Sequence, residues 1–82
     1  MTHKLKTWPQ YFYAVWDGRK TFEYRDAFDR DFQVGDTLIL QEYDPNTGAY
    51  SGRSIDCDVT YILRDEIPGT FVVMAIKPMA RR

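Results

Sequence analysis

Between positions 18 and 25 the chain reads Gly18-Arg19-Lys20-Thr21-Phe22-Glu23-Tyr24-Arg25, which sets an ammonium, a hydroxyl, a carboxylate and a guanidinium close together. In an extended strand alternate side chains share a face. Thr21, Glu23 and Arg25 are therefore expected on one surface, with Phe22 and Tyr24 turned into the core and Lys20 at the turn just before them. A carboxylate flanked by an amine and a guanidinium can recognise a polar planar group or a phosphate, and can polarise a carbonyl. The same pattern also suits a solvated edge strand, where an exposed ion pair contributes only about 0–1 kcal/mol.

Whatever positions these charges must be one small domain, spanning 1–82, whose rings bury much apolar area per residue: 16% of the chain is aromatic. The formal net charge is −1, from 11 Lys and Arg against 12 Asp and Glu, so no global basic field draws in nucleic acid and any anion site must be local. Cys57 is the only cysteine and His3 the only histidine, which removes an intramolecular disulfide and a cysteine-rich zinc cluster; no metal or cofactor is expected. The start, Met1-Thr2-His3-Lys4, lacks the apolar segment of a signal peptide, and the apolar run Phe71 to Ile76 is too short to cross a bilayer. A cytoplasmic protein without membrane contact is the expectation.

In chain order, His3 to Lys6 reads as a first strand with Leu5 inward and Lys4 and Lys6 opposite. Thr7 and Gln10 make a capping-box pattern with Pro9 in the first turn, and Trp8, Phe12, Val15 and Trp16 follow helical spacing, which predicts a helix from Trp8 to about Asp17 that Gly18 stops. Tyr11 and Tyr13 lie off that stripe, where they can pack or stack on a base. After the strand Thr21 to Arg25 comes a charged loop, Asp26 to Phe32, with two aromatic anchors. Val34-Gly35-Asp36 then turns into a strand, Thr37 to Tyr43, that is apolar on both faces. Asp44 to Gly48 reverses the chain, and Ala49 to Gly52 completes a long hairpin tip. Ser54 to Leu63 alternates, with Ile55, Cys57, Val59, Tyr61 and Leu63 on one face, and Thr70 to Lys77 is a nearly continuous apolar strand ended by Pro78, leaving Met79 to Arg82 frayed. The connections between the long apolar strands suit antiparallel pairing, and the fold class is α+β, mostly β: a small barrel of about five strands with one helix after the first strand.

Gly18, Lys20, Glu23 and Arg25 match the Gly-x-Lys-x-x-Glu-x-Arg signature of the ASCH domain family, which is itself similar to the PUA-like superfamily of RNA-binding barrels. The likeness continues through His3-Lys4-Leu5-Lys6, the helix, Asp29-Arg30-Asp31-Phe32 and Val34 to Leu38, where the chain resembles a small uncharacterised bacterial and phage branch. That resemblance implies a PUA-like barrel with a cleft between helix and sheet, lined by Lys20, Glu23 and Arg25, that binds RNA or a nucleotide. Arg25 would contact a phosphate or stack on a base, Glu23 would accept from a base amino group and Lys20 would hold an anion, with Lys6, Arg30 and Tyr43 as further candidates. Net acidity favours a short single-stranded segment or a nucleotide over a long duplex.

Two alternatives come from other classes of function. Some small bacterial ASCH proteins that resemble this chain hydrolyse acylated nucleosides with a lysine, a threonine and a glutamate, and Lys20 matches that lysine. The family's catalytic threonine falls where this chain carries Glu23, so Thr21 would have to serve, and Glu42, Asp56 or Asp58 would have to supply the acid. The third reading is a module of phage or host regulation that docks a protein partner through its tyrosines and hairpin. Binding of RNA, a single strand or a nucleotide remains the leading expectation.

Overall fold

Alternation begins at the second residue: in β1 (Thr2–Thr7) His3, Leu5 and Thr7 are buried while Lys4 and Lys6 face solvent, as the spacing predicts. A computed structural model describes all 82 residues, Met1–Arg82. After β1 come α1 (Pro9–Trp16), β2 (Phe22–Asp26), β3 (Thr37–Asp44), β4 (Ala49–Leu63) and β5 (Phe71–Arg81). The strands form one sheet in the order β1-β3-β4-β5-β2, curled into a half-barrel whose edge strands are β1 and β2. The long apolar strands β3, β4 and β5 pair antiparallel, as expected, and β2 joins β5 antiparallel; β1 runs parallel to β3, reached through a crossover that carries α1 and β2. No helix is long and apolar enough to cross a membrane.

The core fills the concave side of the sheet. Phe12 and Val15 of α1 meet Leu38 and Leu40 of β3, Ile55, Cys57 and Val59 of β4, and Val72, Met74 and Ile76 of β5. Burial pushes the Cys57 thiol up to about 12, reinforced by the Glu23 and Asp56 charges, so Cys57 is a packing residue. Buried Asp36, just before β3, ties the start of that strand to the start of β1. Its Oδ2 lies 2.8 Å from His3 Nε2 and accepts from the Gln33 N–H at 3.0 Å, and its Oδ1 takes the Met1 ammonium at 3.1 Å.

Several expectations are corrected. α1 is capped by the backbone of Trp8 with no side-chain cap, since Thr7 belongs to β1; Trp8 is half-exposed instead of lining the apolar stripe. Gly18 does stop the helix, at φ +85°. The face assignment of β2 is inverted: Glu23 is 2% exposed, whereas Phe22 and Tyr24 are 46% and 55% exposed. Phe32 anchors the loop after β2 but Phe28 stands in solvent. Only one face of β3 is fully buried, and β4 begins at Ala49, so the hairpin turn is short. A register shift between Val59 and Tyr61 puts Ile62 inward and exposes Tyr61 and Leu63. Pro78 lies inside β5 next to the irregularity at Asp56/Cys57, the kind of position where a missing donor is tolerated, and the tail is paired through Arg82 N–H to Ser54 O at 2.8 Å.

Candidate ligand cleft at the strand seam

A half-barrel leaves the backbone groups of its two edge strands unpaired, and here arginines cross the seam between β1 and β2. Arg25, from β2, donates through Nη1 to Lys6 O at 3.1 Å and through Nη2 to Thr7 Oγ1 at 3.2 Å, while its Nε donates to Glu23 Oε1 at 2.8 Å. Arg30 donates to Lys4 O at 3.2 Å. Glu23 is the pivot. Its Oε2 accepts from Lys20 Nζ, which also donates to Phe22 O at 2.6 Å, so the buried carboxylate has a cation on each oxygen. Burying a lone carboxylate would be costly, and those two partners are why β2 turns its charges inward.

On the α1 side of the Arg25 bridge the seam opens into a cleft of about 810 Å³. Its floor carries Lys20, Glu23 and Arg25, with Lys6 and Thr7 at the β1 edge. Its walls are aromatic: Trp8 and Tyr11 stack at 6.3 Å between centroids, and Tyr24 and Phe71 stack at 4.8 Å. Phe71 reaches Tyr24 diagonally, because Tyr24 pairs with Val73 in the β2–β5 register. Phe22 completes the lining, with Lys20 Nζ 4.9 Å from its ring centre. A guanidinium has five N–H donors and an ammonium three, so Arg25 keeps two and Lys20 one beyond the bonds just described. The cleft can therefore take a flat apolar ring between its walls and an anionic oxygen at its floor.

Residues 2–76 match a family described as "Domain of unknown function (DUF3850)". The chain belongs to this family. The match spans every cleft residue from Lys6 to Phe71. The chain is also 31% identical over 86 residues to the "Uncharacterized 12.9 kDa protein in GpA 3'region" of Escherichia phage P2, an alignment covering 92% of this chain and 76% of that protein.

Lys20, Glu23, Arg25 and Lys6 are thus brought to one cleft of this DUF3850 domain, and Arg30 lies in the adjoining groove. Tyr43 stands apart, its ring 4.7 Å from Lys6 Nζ and 5.0 Å from Tyr50. Thr21 is exposed and outside the lining; the cleft's hydroxyl is Thr7 Oγ1, which donates to Leu5 O at 3.3 Å while accepting from Arg25. Glu42 is buried in a different cluster: burial favours its neutral form, but Ser51 and Arg53 outweigh that and lower its pKa. Asp56 pairs with Arg82. No group of three or more His, Cys, Asp or Glu side chains is placed to hold a metal ion. Of the walls, the sequence offers only Tyr11 as a stacking residue: its pattern sends Phe22, Tyr24 and Trp8 into the core and makes Phe71 part of a nearly continuous apolar strand. The available signal was the signature itself, since an acid flanked by two bases can be buried as a unit and must then turn its aromatic neighbours out.

Proposed function

We propose that this protein binds RNA or a nucleotide in the seam cleft, with the base against the Trp8–Tyr11 and Tyr24–Phe71 walls and a phosphate on the free donors of Lys20 and Arg25. The observation that carries this reading is the pairing of stacked, solvent-open aromatics with unspent cationic donors in a chain whose net charge is −1. A nucleotide offers both complements, a π-face and an anion, and base–aromatic stacking contributes about 1–3 kcal/mol per base. Likeness to the ASCH signature and to PUA-like barrels supports the same ligand class. Glu23 acts by holding the two cations, because both of its oxygens are engaged. Binding is preferred to amide hydrolysis because Thr21 lies outside the cleft lining and the Thr7 hydroxyl is already committed.

Tyr24→Ala tests the reading, since Tyr24 is exposed and its loss leaves the core intact. Trp8 fluorescence, titrated with nucleotides and short RNA, should report binding that weakens at least about fivefold in the variant. Nucleotide affinity unchanged by Tyr24→Ala would reject the cleft as the site.

A further inference from the structure

The aromatic cleft is only one half of the seam. Beyond the Arg25 bridge a second concavity of about 510 Å³ is lined by Lys4, Lys6, Arg25, Arg30 and Tyr50, among others, so Lys6 and Arg25 belong to both. β1 runs beneath the two like a rail, with Lys4 and Lys6 on its outward face roughly 7 Å apart along the strand. Five of the chain's 11 Lys and Arg line the two concavities, but only three of its 12 Asp and Glu do. The remaining surface is therefore net acidic, and an anionic chain is attracted to the seam and repelled elsewhere.

We infer that the two concavities form one continuous path for a single-stranded polynucleotide, which rests on the reading of the cleft as a nucleotide site. One base stacks in the aromatic cleft, the phosphodiester crosses at Arg25, and the next nucleotide lies over Lys4 and Arg30 with Tyr50 as its stacking surface. Tyr50 is half-exposed, lines the second concavity, and is braced by Tyr43 at 5.0 Å between ring centres, under which Lys6 is held. A single strand fits this arrangement and a duplex does not, because a duplex keeps its bases stacked on one another and offers none to Trp8 or Tyr24. The seam thus selects a strand of two or more nucleotides over a free mononucleotide.

Calorimetric titration of adenosine 5′-monophosphate and of hexa-adenylate RNA, at low and at raised salt, on the wild type and Lys4→Glu separates binding in the cleft from binding along the whole seam. Lys4 lines only the second concavity, and its contact to Arg30 is made by its backbone carbonyl, which the substitution keeps. The hexamer is expected to bind at least about tenfold tighter than the monophosphate and to lose affinity more steeply with salt. Lys4→Glu should remove most of that gain and leave monophosphate affinity within about twofold. A hexamer that binds no tighter than the monophosphate, or is insensitive to Lys4→Glu, overturns the path while the cleft stands. Failure of both ligands to bind overturns the path and the cleft together.

Discussion

Asp36 and Glu23 are both buried acids, yet they act at opposite ends of β1 and by different means, Asp36 on Met1 and His3, and Glu23 through Arg25, which reaches Lys6 and Thr7. The hydrogen bond with His3 is the largest influence holding the Asp36 carboxyl down to about 2 from its ordinary 3.8; the Gln33 N–H and the Met1 ammonium add to it and burial opposes it. Because the folded value lies below the unfolded one, the unfolded chain takes up the proton first. The stability that Asp36 contributes is therefore fully present above about pH 4 and is lost as pH falls toward about 2. Urea unfolding from pH 6 to pH 2 should show wild type losing stability across that window, with the gap to Asp36→Asn closing at its acid end. A gap that stays constant would mean that His3 and Gln33 do not favour the charged carboxylate. Glu23 instead serves to fix two cations at the floor of a cleft, and what it contributes is position.

At the level of elements, the half-burial of β1, the end of α1 at Gly18 and the inward face of β4 from Ile55 to Val59 were legible, because each depends on a local period or a single backbone requirement. β2 was not. Phe22-Glu23-Tyr24-Arg25 alternates perfectly but does not say which phase faces inward, and hydrophobicity alone chooses the wrong one. The choice is made by partners that arrive from elsewhere: Met74 opposite Glu23 in the β2–β5 register, and the Lys6 carbonyl and Thr7 hydroxyl of β1 that Arg25 reaches. The shift after Val59 and the pairing of the tail with Ser54 are likewise long-range facts with no local signature. The corrected phase has a measurable consequence. Met74→Ala should cost about 2–5 kcal/mol and Tyr24→Ala less than about 1 kcal/mol in chemical denaturation. Equal costs would restore the inverted assignment.

For the molecule as a whole, the sheet stops short of closing and side chains complete it. Arg25 joins Glu23, Lys6 and Thr7 in one planar fork, a task lysine cannot copy with a single ammonium. Arg25→Lys is therefore expected to loosen the seam locally: amides of β1 and β2 should exchange hydrogen faster while those of β4, in the middle of the sheet, keep their protection. Uniform loss of protection would show that Arg25 supports global stability and not the seam alone. The same geometry explains why fold and site are hard to separate here, since the groups that bridge the edges also floor the cleft. Sequence disclosed the cluster of Lys20, Glu23 and Arg25, but the gap they stand in exists only once β1 and β2 have become opposite edges of one curled sheet.

The most direct measurement is a two-dimensional amide NMR titration of labelled protein with nucleosides, nucleotides and short RNA and DNA strands. Shift changes should cluster on Trp8, Tyr11, Lys20 to Arg25 and Phe71, and should be weaker for nucleosides, which lack the phosphate that Lys20 and Arg25 hold. Perturbations confined to other surfaces, or silence across all of these ligands, would contradict nucleotide recognition at the seam and leave its aromatic walls to a protein partner.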